Sequence, residues 1–150
     1  MKNVVIPIDG SEFSDRALEM GKKIAQACGS QVMLLHIVNT EVPSFLDIST
    51  GANATIGLPL EEIYKGAEVE GQAILDRGKA VFDAQIPIEL KIEKVVGDIA
   101  SGIVEAAEAA QADLIIMGSE GTSKAIKGFL LGSVTNKVLH RTKIPVLVVK

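Results

Sequence analysis

The sequence predicts an α/β protein: a doubly wound, five-stranded parallel sheet with helices on both faces. Three observations predict it. Four apolar runs of strand length, at residues 4–8, 32–38, 114–117 and 144–149, lack the in-out alternation of a half-wet strand, as expected of parallel strands covered on both faces. Between the runs, apolar residues recur at helical spacing. The resulting order, β-α-β-loop-α-β-α-β-α-β, selects a parallel sheet with right-handed crossovers.

The elements follow in order. After the first strand, Ser11 is a good N-cap behind the Asp9-Gly10 turn, Glu12 and Asp15 complement the positive helix start, and Gly29 supplies the stop, so the first helix spans residues 12–28. The second strand is followed by a long loop, residues 39–59, with Pro43, Gly51, Gly57 and Pro59; a loop of more than about 15 residues within a compact domain is usually functional or mobile. A second helix over residues 60–84 keeps Ile63, Ala67, Ile74, Gly78 and Val81 on one face until Pro87 forbids continuation. Ile88, Leu90 and Ile92 alternate with Glu89, Lys91 and Glu93, the pattern of an edge strand with one wet face. Asp98 can cap a third helix with a narrow stripe of Ile99, Ile103, Ala106, Ala107 and Ala110. A fourth helix over residues 133–141 ends before Ile144-Pro145 and the last strand.

A chain of 150 residues is one ordinary domain, large enough to bury about 70% of its unfolded surface. Apolar residues at 47% and charged residues at 23% mark a globular composition. A net charge of −4 lacks the basic excess that nucleic acid demands, and no Trp, one Tyr and four Phe offer no set of stacking platforms. The single Cys28 cannot form an internal disulfide and shares helical spacing with Ala17, Gly21, Ile24 and Ala25, which favours a core thiol over a nucleophile. Pro7 and Asp9 break the N-terminal apolar run, leaving no signal peptide or membrane span and an expected cytoplasmic location.

In an open parallel sheet, ligands bind outside the carboxyl ends of the strands where the strand order reverses. The residues there are Pro7, Ile8, Asp9 and Gly10 after the first strand, Ile37 and Val38 at the second, and Met117, Gly118, Ser119, Glu120 and Gly121 after the fourth. Gly118 and Gly121 bracket a turn, and Gly132, Ser133, Val134 and Thr135 open a helix. Glycines let successive N–H groups converge on an anion, and a helix start adds free N–H groups and a favourable dipole. An ordinary turn followed by an N-cap fits the spacing equally well. Neither a G-x-G-x-x-G after the first strand nor a G-K-S/T is present, so dinucleotide and Walker-type loops are excluded.

These segments, taken together, resemble the universal stress protein family. The resemblance rests on Val5-Ile6-Pro7-Ile8-Asp9-Gly10-Ser11, Leu34-Leu35-His36-Ile37, Val95-Val96-Gly97, Ala112-Asp113-Leu114-Ile115-Ile116-Met117-Gly118-Ser119, Leu130-Leu131-Gly132-Ser133-Val134 and Ile144-Pro145-Val146-Leu147-Val148-Val149. It implies strand order 3-2-1-4-5, a Rossmann-like sheet, a homodimer through the last strand and, in one branch, a site for ATP, or AMP or ADP, with Mg. That branch carries G-x2-G-x9-G-S/T. Gly118 and Gly121 match its first half and Gly132-Ser133 its second, with Ser119, Thr122, Val134 and Thr135 in the same segments. Asp9 matches the acid near phosphates and metal, Ile37 the apolar residue whose backbone meets adenine, and Pro7, Ile8 and Met117 line the same pocket. Ten residues separate Gly121 from Gly132 where the pattern has nine; Gly128 can absorb the extra one. Glu120 stands where a basic or polar side chain is frequent.

Asp9 reads either as a turn residue or as a magnesium ligand, and its place at the switch point favours magnesium. His36 in a buried run reads as a satisfied core histidine, and His140 near a helix end as a partner of the dipole. Lys124 and Lys127 fit phosphate contacts and a solvated face equally. With no general base beside the cradle, turnover should be slow or absent, and the expected function is a regulatory, adenine-nucleotide-binding stress-response module. The alternatives are a nucleotide-free dimer acting through protein contacts and an adenylyl-transferring relative. The dimer also has an argument of its own: the last strand is apolar and lacks the lysines or inward charges that protect an exposed edge.

Overall fold

The structure is a computed structural model that describes residues 1–41, 60–121 and 131–150. The elements run β1 (Asn3–Pro7), α1 (Glu12–Cys28), β2 (Gln31–Asn39), α2 (Leu60–Lys79), β3 (Ile88–Val95), α3 (Ile99–Ala109), β4 (Leu114–Gly118), α4 (Ser133–Arg141) and β5 (Val146–Val149). All strand pairs are parallel, in the order β3-β2-β1-β4-β5. This is the expected doubly wound sheet, with the alternating strand β3 at one edge and β5 at the other. The predicted long loop falls for the most part, at residues 42–59, outside the described residues, as do Thr122, Lys124, Lys127 and Gly128. No described helix is long and apolar enough to cross a membrane.

Alternation along each central strand builds two cores. Val4, Ile6 and Ile8 of the first strand segment pack with Ala17 and Leu18 of α1 and with Ile74 and Leu75 of α2. Val5 faces the other way, toward Ile103 and Ala107 of α3 and Val138 of α4, together with Ile115 and Met117 of β4. Continuous apolar runs are thus consumed by helices on both faces.

Helices α1 and α4 keep the expected bounds, and local capping explains those of α1. The Ser14 N–H donates to Ser11 Oγ at 3.2 Å, and the N–H of Gly29 returns to the Ala25 carbonyl. Helix α2 starts at Leu60 as expected but ends earlier. It stops at Lys79, and residues 80–86 continue as turns in which Val81, Phe82 and Ile86 donate three residues back, to Gly78, Lys79 and Asp83. Phe82 and Ile86 still reach the core. Ile63, expected on the buried stripe, is 53% exposed. Its neighbour Tyr64 donates its hydroxyl to the carbonyl of Thr40 at 3.0 Å, so the first turn of α2 stands beyond the last residue of β2 and has no sheet to cover.

Cys28 is likewise exposed rather than in the core. It is the last residue of α1, and the chain turns at Gly29 so that Ser30, 1% exposed, takes the inward place. Asp98 sits at the N-cap of α3 but makes no capping bond with its side chain. Its carboxylate instead accepts from Arg141 and, at 3.1 Å, from the Ser101 hydroxyl, with Lys137 at 3.8 Å. The Arg141 hydrogen bond holds Asp98 below the ordinary carboxylate range. A depressed folded-state value means stability that is present above the unfolded pKa of about 3.9 and lost as pH falls through the folded value. Asp98→Asn is therefore expected to lower the urea midpoint at neutral pH, with the difference from wild type vanishing in strong acid.

Candidate functional site

The site lies where the carboxyl ends of β1 and β4 open toward α4. As β1 ends, Ile8 donates its N–H to the Leu35 carbonyl at 2.9 Å, and the Ile8 carbonyl lies 2.9 Å from His36 Nδ1. His36 is thus a partnered histidine. The Ile8 side chain belongs to the α1/α2 core, since a Cβ built on Gly78 would stand 2.9 Å from its Cδ1. Its backbone N–H and carbonyl already have partners within the fold. The chain then turns through Gly10, whose φ of +78° is the left-handed region that a side chain disfavours. Asp9 Oδ1 accepts the Ser11 N–H at 3.0 Å, an Asx turn that aims the carboxylate.

Its other oxygen points across to the glycine turn. A Cβ built on Gly121 would lie 2.7 Å from Asp9 Oδ2, so the carboxylate and the bare backbone of residue 121 share one small space. Gly132 completes the arrangement. Its N–H donates to the Ser119 carbonyl at 2.7 Å, and a Cβ there would stand 3.2 Å from Glu120 Cα, 3.3 Å from the Ser119 oxygen and 3.7 Å from the Gly121 nitrogen. Helix α4 thus starts in backbone contact with the turn after β4. Its N-cap, Gly132, makes no side-chain cap, and the first N–H groups of a helix, here those of Ser133, Val134 and Thr135, have no intrahelical acceptor. Bare N–H groups, a helix dipole and a neighbouring acid form a cradle for an anion accompanied by a cation.

Two predicted participants carry structural duties as well. A Cβ on Gly118 would fall 2.7 Å from Phe13 Cβ and 2.8 Å from the Phe13 carbonyl, so this glycine lets the first turn of α1 approach β4. The Thr135 hydroxyl, buried, donates to the Gly118 carbonyl at 2.9 Å, tying α4 to the strand end. The Ser119 N–H, also buried, donates to the Val149 carbonyl at 2.8 Å and joins β5 to the same junction. Ser133 is exposed at the helix start and Val134 half-buried.

Met117 and Ile37 pack in the core beneath α3 and α4, and Pro7, two residues after Val5, takes the same face. The three apolar residues therefore share one face of the sheet. Among the described residues no group of three His, Cys, Asp or Glu side chains comes together, so a cation beside Asp9 would need oxygens from the ligand. A groove of about 660 Å³ lies elsewhere, between α1 and α2, where Glu12, Asp15, Arg16, Lys23 and Arg77 present both signs of charge. It meets the end of β1 at Ile8 and Gly10. Residues that sequence reasoning passed over are Asn39 and Thr40, which bind the end of β3 across 58 and 55 positions of sequence; no local signal points to such a pair.

The profile of the universal stress protein family matches residues 1–150. The chain belongs to that family. Universal stress protein MJ0531 of Methanocaldococcus jannaschii is 34% identical over 153 residues, covering 99% of this chain and 82% of that protein. Among solved structures of the fold, that of MJ0577, from the same organism, superposes with a TM-score of 0.77 at 30% identity, covering 99% of this chain and 95% of the other. A universal stress protein solved in complex with cAMP is 27% identical, with a TM-score of 0.65 and coverage of 99% and 95%.

Proposed function

We propose that this universal stress protein is a single-domain regulatory module that binds ATP with Mg in the cradle between Asp9, the turn from Gly118 through Gly121 and the start of α4, turns it over slowly or not at all, and works as a cytoplasmic homodimer. The observation that carries the reading is the close approach of Gly121 and Gly132 beside an oriented carboxylate, since only bare backbone lets the turn after β4, the start of α4 and Asp9 converge on one point. The relative in complex with cAMP supports an adenine nucleotide as the ligand class. In this reading the N–H groups of Ser133, Val134 and Thr135 and the Ser133 hydroxyl meet phosphate, while Pro7, Ile37 and Met117 take the base side.

Calorimetric titration with ATP and GTP tests it. ATP is expected to bind more tightly, because backbone groups near Ile37 read the adenine edge. No binding of ATP at millimolar concentration overturns the reading in favour of a nucleotide-free dimer. Phosphate release in a multi-turnover assay should fall far below the about 10 per second of ordinary enzymes.

Asp9 is the residue that fits magnesium. Bound Mg supplies charge neutralisation of the phosphates, and Asp9 holds the ion or its water shell from the protein side. Asp9→Ala is expected to weaken Mg-ATP more than metal-free ATP, because without metal the carboxylate repels phosphate. Equal losses in the two titrations would reduce Asp9 to a turn residue.

A further inference from the structure

We infer that Asn39, which lies outside the cradle, is the positioning residue for the base side of the nucleotide site; the inference rests on the nucleotide reading above. Asn39 closes β2 two residues beyond Ile37. Its Oδ1 accepts the N–H of Gly97 at 2.9 Å and the N–H of Glu41 at 2.9 Å, and its Nδ2 donates to the Gly97 carbonyl at 3.4 Å. One amide thereby holds the chain leaving β2 against the chain leaving β3. Thr40 reinforces the tie, since its N–H and its hydroxyl both donate to the Val95 carbonyl, at 2.7 and 3.1 Å.

The clamp reaches Ile37 through packing. A Cβ built on Gly102 would stand 2.5 Å from Val95 Cγ1 and 3.4 Å from Ile37 Cδ1, so one residue of α3 packs against both Val95 and Ile37. The turn that delivers the chain from Val95 into α3 passes through Gly97 at φ +86°, a conformation glycine permits without favouring it over others. Asn39 selects it, because two of its three hydrogen bonds go to Gly97. The position of Ile37 relative to a bound base therefore depends on a side chain that touches no ligand, whereas the phosphate side is built from β1, β4 and α4 and does not use this clamp.

The test is calorimetric titration of the full chain and its Asn39→Ala and Asn39→Asp variants with ATP, GTP and inorganic tripolyphosphate. Loss of the three hydrogen bonds to backbone predicts an affinity for ATP lower by about tenfold in Asn39→Ala, with tripolyphosphate changed by less than about twofold, so that the ATP-over-GTP preference shrinks. Asn39→Asp keeps an acceptor for both N–H groups and should retain the preference. Undiminished preference in Asn39→Ala, or equal losses for ATP and tripolyphosphate, overturns the inference while leaving the nucleotide reading standing. A wild-type protein that binds no ATP overturns that reading itself, and the inference with it. Should Asn39→Ala fail to fold, amide hydrogen exchange of the wild type decides: ATP, unlike tripolyphosphate, is expected to slow exchange at Glu41 and Gly97, and unchanged exchange there overturns the inference.

Discussion

Gly132→Val is expected to abolish ATP binding while the protein still folds. The added Cβ would stand 3.2 Å from Glu120 Cα and 3.3 Å from the Ser119 oxygen, both backbone atoms that no rotamer change can move aside. Helix α4 must then withdraw from the turn, which carries its first N–H groups out of reach of a phosphate held beside Asp9. Losing two hydrogen bonds to a charged group, each about 1.5–3 kcal/mol, amounts to about a hundredfold or more in affinity. The stability cost is that of overpacking, about 1–3 kcal/mol, within the margin of an ordinary domain. Thermal unfolding with and without ATP reads both effects at once, because ATP should raise the midpoint of the wild type and leave that of the variant unchanged. A variant that ATP still stabilises as strongly as the wild type would contradict the cradle.

Val148→Lys is expected to convert a homodimer into monomer or aggregate. Strand β5 pairs with β4 along Ile115↔Val146, Ile116↔Leu147, Met117↔Val148 and Gly118↔Val149, and it ends the sheet. All four of its residues, Val146, Leu147, Val148 and Val149, are only half-buried in a single chain, and none is a charge or a proline that would blunt an open edge. Pro145 cannot donate, and its carbonyl is already engaged by the Ile115 N–H at 2.9 Å, so pairing with a two-fold mate would centre on Val146, Leu147 and Val148. Val148 is the informative position. Leu147, Val149 and Val146 pack against the two cores, and a lysine there would also damage the subunit. Sedimentation at tens of micromolar distinguishes the outcomes, and a wild type that stays monomeric refutes the dimer.

Much of the architecture was legible because its causes are local. Ser11 and Gly29 delimit α1 by hydrogen bonds within one turn of themselves, and the alternation of Ile88, Leu90 and Ile92 with charged neighbours marks an edge strand wherever the sheet happens to end. The candidate site was legible in part for the same reason: an acid followed by glycine after the first apolar run, and glycines around the fourth, are short-range patterns. What they touch is long-range. Nothing near Gly118 in sequence indicates that it yields to Phe13, and nothing near Gly121 indicates that it abuts Asp9.

The sequence by itself determined the element order and the two-faced burial of the central strands, since periodicity and capping act over a few residues and are written in each segment. Only the tertiary structure decided where α2 loses its core at Ile63, why Cys28 stays wet, that Asp98 serves an ion pair with Arg141 rather than its own helix, and that Asn39 joins the ends of β2 and β3. Each of these depends on which element lies across from a residue. That is a property of packing between segments far apart in sequence, and side-chain spacing along the chain carries no record of it.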